Sequence, residues 1–502
     1  MAAFHLSSLF SDKAILCRRQ EIRVFGEAEK GTELTVTLLS ASGDVLGSDR
    51  VTERNGRFLA LLPPQEAAMH CTLRVSDGKT AALACDIAIG DVYLAGGQSN
   101  MELELKDADD GPAAVRRHEN VLVRYYNVPK YALNTPEADR ANAEAGWREI
   151  RPGEGRDMSA AAYFFAMKLQ QELNVPIGII DCYWGGSSIT CWMEKETLES
   201  IAEGQRYIKE YKKSAGRKTM EQYLAEEKVF EQGMADWNAR ADQVRRERPG
   251  VTAPELNSLL GPFPWFPPVG PGSPYRPAGL SETMLRRIVP ATLTGVLFYQ
   301  GEEDTGRTEC YDVLLKAFIS QLRRQFQNLA LPFLNVQLPM WIPAGGTDTG
   351  TWPRLRQAQQ RVAQEVSHTD LAILIDQGEY DNIHPTNKRV VGERLFFCAM
   401  NTVYGVPAPE APRAVSKYTR DKTLYIQLSA PVTANGQSDL LLEVAGQDGV
   451  FYPAEAELDG SLLRLSHPNV PRPVMARFAW ADYASAPFFS ENGLPLAPFW
   501  LV

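Results

Sequence analysis

Serine 99 stands in Gly96-Gly97-Gln98-Ser99-Asn100-Met101, directly after the apolar run Val92-Tyr93-Leu94-Ala95. A buried strand ending in two glycines lets the backbone turn sharply and lets a reacting group approach the main chain closely. A serine at such a strand end, with its own N–H available to a developing oxyanion, is a plausible nucleophile if a histidine can reach it. Of the six histidines, His384 stands out, because it follows Asp376-Gln377-Gly378-Glu379-Tyr380-Asp381-Asn382-Ile383 and precedes Pro385. An aspartate three residues before a histidine, on a loop stiffened by proline, can orient the imidazole and stabilise its protonated form. Ser99, Asp381 and His384 therefore make a candidate catalytic triad.

Other roles fit these residues less well. Gly97-Gln98-Ser99-Asn100-Met101 lacks the second glycine of G-x-S-x-G, which disfavours an α/β-hydrolase elbow. Glu379, Asp381 and His384 would be a poor metal site, because no second histidine or cysteine joins them; no metal and no organic cofactor is expected. Asp376 rivals Asp381 as the orienting carboxylate, but it ends an apolar run and fits better as a loop anchor. Ester hydrolysis also needs donors aimed at the tetrahedral oxyanion. The Ser99 N–H is one, and the N–H of Gly186, in Trp184-Gly185-Gly186-Ser187, is the second candidate, since a residue without Cβ lets substrate come close.

Four blocks carry a resemblance. Gly97-Gln98-Ser99-Asn100-Met101, Trp184-Gly185-Gly186-Ser187, Tyr299-Gln300-Gly301-Glu302 and Asp381-Asn382-Ile383-His384-Pro385, in that order, resemble the sialate O-acetylesterase family of SGNH-type hydrolases. The likeness implies a serine esterase that removes acetyl groups from sugar hydroxyls, most directly from O-acetylated sialic acids. An acetylxylan or other carbohydrate acetylesterase is the alternative, and an inactive glycan-binding protein a third reading. By resemblance, Gln300 joins Ser99 and Gly186 in the oxyanion hole, offering a side-chain amide where other SGNH enzymes use asparagine. Gln98, Trp184, Glu302, Asp304 and Arg356 are the candidate sugar contacts. Asp304 departs from the family's Gln-Gly-Glu-x-Asn pattern, and Arg356 belongs to a Trp-x-x-x-Arg-x-x-Gln block begun by Trp352, where structural pairing is the better expectation.

These residues need a frame. Residues 1–88 show short alternating runs and turn signals such as Asn55-Gly56, which predict a small β-sandwich-like domain. From 89 to 405, apolar runs at 92–95, 121–126, 177–180, 295–299, 333–338 and 371–375 alternate with helical patterns. Ser159 is placed to cap a helix carrying Ala162, Phe165, Leu169 and Leu173; Tyr311, Leu314, Leu315, Phe318 and Leu322 share the face of another. This alternation predicts an α/β domain, a mostly parallel sheet covered by helices, and the resemblance implies the SGNH-hydrolase-like (flavodoxin-like) form. An insert at about 195–278 begins as a charged helical hairpin and ends in a proline-rich stretch, expected as an ordered loop over the ligand edge because it carries Phe263, Trp265, Phe266 and Tyr275. Residues 406–502 return to β texture, predicting a carboxyl-terminal β-sandwich-like domain.

A formal charge of −10 argues against a nucleic-acid partner. No window approaches the roughly 20 apolar residues of a membrane span, no signal-like amino terminus is evident, and seven scattered cysteines fit reduced thiols, so a cytoplasmic location is expected. The insert, with Ile208, Tyr223 and Trp237 expected to be exposed, is a candidate homodimer surface or lid.

Overall fold

Ala81–Gly97 is the longest strand, and the rest of the molecule is arranged on it. A computed structural model of the chain describes residues 3–248, 250–251, 253–265, 267–343, 345–436 and 440–502, without the side chains of residues 253 and 254. The first half of this strand alternates between exposed and buried residues, whereas every residue from Ile87 onward is buried. The change of sequence texture near residue 88 marks the point where one continuous strand passes from a half-solvated sheet into one covered on both faces. The amino-terminal β region and the α/β region thus share a strand.

In the α/β region the strand order is Arg148–Ile150, Asn120–Asn127, Ile177–Tyr183, Ala81–Gly97, Gly295–Tyr299, Phe333–Val336, Thr369–Ala372. All neighbours pair in parallel except the antiparallel edge strand Arg148–Ile150. After Ala81–Gly97 the chain builds to one side with 120–127 and 177–183, then to the other with 295–299. The carboxyl end of Ala81–Gly97 is therefore a topological switch point, where diverging connections leave a crevice. The runs at 333–338 and 371–375 form shorter strands than expected, because Met340, Ile373 and Ile375 turn instead into the core of the carboxyl-terminal region.

The helices follow their apolar spacing. Ala160–Leu173 is capped by Ser159, whose hydroxyl accepts from the Ala162 N–H at 3.2 Å, and Tyr311–Gln325 buries Leu314, Leu315, Phe318 and Leu322. Residues 406–502 form two four-stranded antiparallel sheets, 414–420/423–428/462–466/455–459 and 451–453/442–445/475–478/499–501, with a short strand pair Thr433–Ala434/Phe488–Phe489, around a core that includes Ile426, Leu463, Val444 and Phe478.

The insert folds as helices Ala202–Ala215 and Met220–Glu247 with Gly216 at the break, followed by the proline-rich segment. That segment covers residues expected to be exposed. Tyr223 is buried against Gly270 and Gly272, Ile208 packs on the main core, and the Trp237 indole donates to Gly261 O at 3.1 Å. Ile208 and Trp237 are thus half-buried rather than exposed, while Met220, Leu224 and Val229 of the second helix remain exposed. No helix among the described residues is long and apolar enough to cross a membrane.

Candidate active site

Gly97 has φ +136°, and a Cβ there would overlap the Tyr299 carbonyl of the adjacent strand. Only glycine fits this approach. The chain turns at once: Gln98 N–H donates to Tyr299 O at 3.0 Å, and Ser99 opens the short helix Ser99–Glu102. Ser99 therefore sits in the switch-point crevice with its N–H at a helix start, and among the described residues that N–H has no protein acceptor.

The loop after Leu371–Ile375 is held by its carboxylates. Asp376 forms a bidentate pair with Arg394 at 2.5 and 2.6 Å, as a loop anchor would. Glu379 accepts from Thr386 N–H at 2.9 Å and from Asn382 Nδ2 at 2.7 Å, and Asn382 Oδ1 accepts from His384 N–H at 3.0 Å. Asp381 lies at φ +62°, its N–H donating to Ile342 O at 3.1 Å. These constraints bring His384 Nε2 to 2.8 Å from Ser99 Oγ. Burial, and secondarily the neighbouring Lys388 ammonium, push the His384 pKa down to about 4, so its ring is neutral and able to accept a proton above that pH.

Two residues outside the expected set tie serine and histidine loops together. Asn100, fully buried, donates from Nδ2 to Ile383 O at 2.9 Å and to Glu302 Oε1 at 2.5 Å, while Lys388 Nζ donates to its Oδ1 at 2.6 Å. Lys388 is itself buried, its ammonium 5.1 Å from the Tyr299 ring centroid, and burial lowers its pKa to about 7 against the opposing effect of Glu302 and Glu379. The sequence carries a signal for it: Lys388 stands at the three- and four-residue spacing of Val391, Gly392 and Leu395 on the buried face of Lys388–Thr402.

Gly185 and Gly186 follow the strand Ile177–Tyr183. Gly185 N–H donates to Glu102 Oε2 at 2.6 Å, and Glu102 is also paired with Lys130. A Cβ on Gly185 would lie 3.5 Å from Ser99 Cβ, so this loop packs directly on the serine turn. Gly186 adopts φ +68° beneath the Trp265 ring, and among the described residues its N–H also lacks a protein acceptor. Two backbone donors are thus left unpaired beside Ser99.

Several expected contacts are corrected. Gln300 is fully buried and its amide is already engaged: Nε2 donates to Asp304 Oδ2 at 2.6 Å and lies 3.2 Å from both Gln98 Oε1 and Ser187 O, while Oε1 accepts from Tyr311 at 2.7 Å. It supports the site from behind instead of facing an oxyanion. Asp304, also fully buried, accepts from Ser188, Ile189 N–H and Tyr207 at 2.7 to 2.9 Å, so it joins the serine-side loop to the insert and does not meet sugar. Glu302 is buried on Asn100. Arg356 is buried and donates to Ala479 O at 3.2 Å and Ala481 O at 2.5 Å, locking the carboxyl-terminal region in place. The glutamine of its block that bears structure is Gln359, whose Nε2 donates to Gln300 O and Val336 O.

Gln98 and Trp184 remain beside the crevice. Gln98 Oε1 accepts from Gly301 N–H and Glu303 N–H at 3.3 Å each, which fixes the amide orientation and leaves its Nε2 without a protein acceptor among the described residues. Trp184 is half-buried next to Gly185.

The chain is similar to carbohydrate esterases. Residues 276–397 match the family described as carbohydrate esterase, sialic acid-specific acetylesterase. The chain is 24% identical to mouse (Mus musculus) sialate O-acetylesterase over 76% of this chain and 70% of that protein, and 23% identical to the Pongo abelii sialate O-acetylesterase over 95% and 88%. Among solved structures it is similar to a carbohydrate acetylesterase from Xanthomonas citri, with 26% identity, a TM-score of 0.77 and 99% of each chain covered.

Proposed function

Since this chain is an esterase similar to the sialate O-acetylesterases, we propose that it removes O-acetyl groups from sugars through Ser99, His384 and Asp381, by way of an acetyl-enzyme. The observation that carries this reading is His384 Nε2 at 2.8 Å from Ser99 Oγ at the sheet's switch point, beside two unpaired backbone N–H groups. The strand order around Ala81–Gly97 supports assigning residues 89–405, with the insert at about 195–278, to an SGNH-type hydrolase unit, followed by a β-sandwich-like unit at 406–502 and preceded by a β unit at 1–88 that is joined to it through the shared strand Ala81–Gly97.

His384 Nε2 takes the Ser99 hydroxyl proton as Oγ attacks the acetyl carbonyl carbon. The oxyanion is received by the Ser99 and Gly186 N–H groups, with Gln98 Nε2 as third donor in place of Gln300. Each such donor is worth about 3–4 kcal/mol in the transition state. The protonated imidazole gives its proton to the departing sugar oxygen, leaving acetyl-Ser99. His384 then deprotonates a water that attacks the acetyl carbon, and Ser99 leaves with that proton as acetate is released. Asp381, three residues before His384, orients the ring and stabilises its charged form.

O-acetylated sialic acid is the leading substrate on the strength of the relatives. A neutral acetylated polysaccharide is the second reading, favoured by exposed Phe263 and Trp265 near Gly186. Acetate release from 9-O-acetylated N-acetylneuraminic acid and from acetylated xylose oligomers, each with Ser99→Ala and His384→Ala alongside, tests both. Release abolished in both variants supports the triad and identifies the sugar; release untouched by Ser99→Ala refutes the mechanism.

A further inference from the structure

The proline-rich segment presents aromatic rings in a row that begins at the serine site. Trp265 lies over Gly186, whose neighbour Gly185 packs on Ser99. Its indole is 39% exposed, so one part covers the glycine and another part is open. Phe263, 36% exposed, stands 6.4 Å away with its ring within 13° of parallel. Trp237 backs Phe263 edge-on at 5.0 Å, and Tyr275 meets Trp265 edge-on at 6.4 Å. The segment itself is pinned by Tyr211 to Gly270 O and Lys218 to Val269 O, both 2.8 Å, so the row sits on an anchored backbone.

A folded domain ordinarily buries a tryptophan and phenylalanine that are already neighbours; two nearly parallel rings left half-open beside the serine site offer stacking surface. The C–H faces of pyranose rings match such surfaces, and repeated rings match repeated sugars.

Resting on the esterase reading above, we infer that Trp265 and Phe263 form a glycan-stacking platform that holds sugar units flanking the acetylated one, so that the enzyme acts on acetylated oligosaccharide or polysaccharide chains in preference to a free monosaccharide. The ring over Gly186 forms the wall between the reacting sugar and its neighbour, and Phe263 receives the next unit. The insert then determines chain-length preference while the sheet supplies the chemistry.

The test compares kcat/KM for acetylated xylose, its dimer through hexamer, 9-O-acetylated N-acetylneuraminic acid and 4-nitrophenyl acetate in wild type, Phe263→Ala, Trp265→Ala and Trp265→Phe. The expected result is a rise of about tenfold or more from monomer to tetramer, carried by KM. In both alanine variants the oligomer-to-aryl-acetate ratio drops by about the same factor, and Trp265→Phe recovers part of it. A ratio unchanged in both alanine variants overturns the platform, as does a wild-type preference for the free sialic acid over every oligomer. Loss of the esterase reading looks different: 4-nitrophenyl acetate hydrolysis is then insensitive to Ser99→Ala.

Discussion

Lys388→Met makes a protein that is more stable and less active, and the structure sets both magnitudes. Burial lowers the Lys388 pKa from 10.5 to about 7, which corresponds to about 4–5 kcal/mol of native-state destabilisation at neutral pH. The unfolded chain keeps this proton up to about pH 10 and the native protein only to about pH 7, so the unfolded state binds more protons in that window. Wild-type stability therefore gains from this group as pH rises from 7 to 10. Methionine removes the buried charge while nearly keeping its length, but it strips Asn100 Oδ1 of its 2.6 Å donor, a loss of about 1–3 kcal/mol for a buried acceptor. The net expectation is a gain of about 1–4 kcal/mol at pH 7, shrinking to a loss near pH 10. Activity moves the other way, because Asn100 bridges the turn of Ser99 to Ile383 O and needs both flanking partners to hold its amide fixed. A fall in kcat of about 10- to 100-fold is expected. The acid limb of kcat/KM, set near pH 4 by His384, should also move up by about one pH unit or less, since burial remains the larger cause of that depression. Urea midpoints at pH 7 and pH 10 and a pH-rate profile read all three. A variant destabilised at pH 7, or a stability difference that is the same at both pH values, would refute the reasoning.

Gly186→Ala forces a side chain onto φ +68° and into the Trp265 ring, so the loop must shift and its N–H with it; kcat should fall by about 10²–10³ with a small change in Tm, and activity within about threefold of wild type removes Gly186 from the oxyanion site. Gln98→Glu keeps an acceptor for Gly301 and Glu303 N–H but replaces the free Nε2 by oxygen, lowering kcat by about 10² or more with KM little changed; unaltered kcat excludes it as a donor. Asp381→Asn should cut kcat by about 10² or more and leave the urea midpoint nearly intact. Asp376→Asn, which abandons Arg394 in a buried pair, should cost about 3–5 kcal/mol of stability while activity at low temperature survives; the reverse pattern exchanges the two roles.

Local pattern accounts for much of this molecule. A capping serine before a 3.6-residue apolar repeat specifies Ala160–Leu173, and Gly-Gly after an apolar run specifies the turn that offers Ser99, because capping and steric freedom act over a few residues. The loop of Asp376 and His384 was legible for the same reason. Side-chain roles that depend on residues hundreds of positions apart were not. Gln300 has the same sequence whether its amide faces an oxyanion or Asp304, and only the approach of Asp304 and Tyr311 decides it. Asp304 is a candidate sugar contact until the fold buries it, whereas Arg356 takes the structural role that its block favours, and Tyr223 is covered by the proline-rich segment. Lys388 gave a periodic hint, but its charge next to His384 is a fact of tertiary packing.

By itself, then, the sequence determined the turn and the helices, each set by short-range sterics and hydrogen bonding, and it marked the candidate reacting groups. Tertiary structure alone decided which amides remain unpaired at the serine, which charges lie in low dielectric, and that Trp265 stands over Gly186, because burial and distance are properties of the assembled chain.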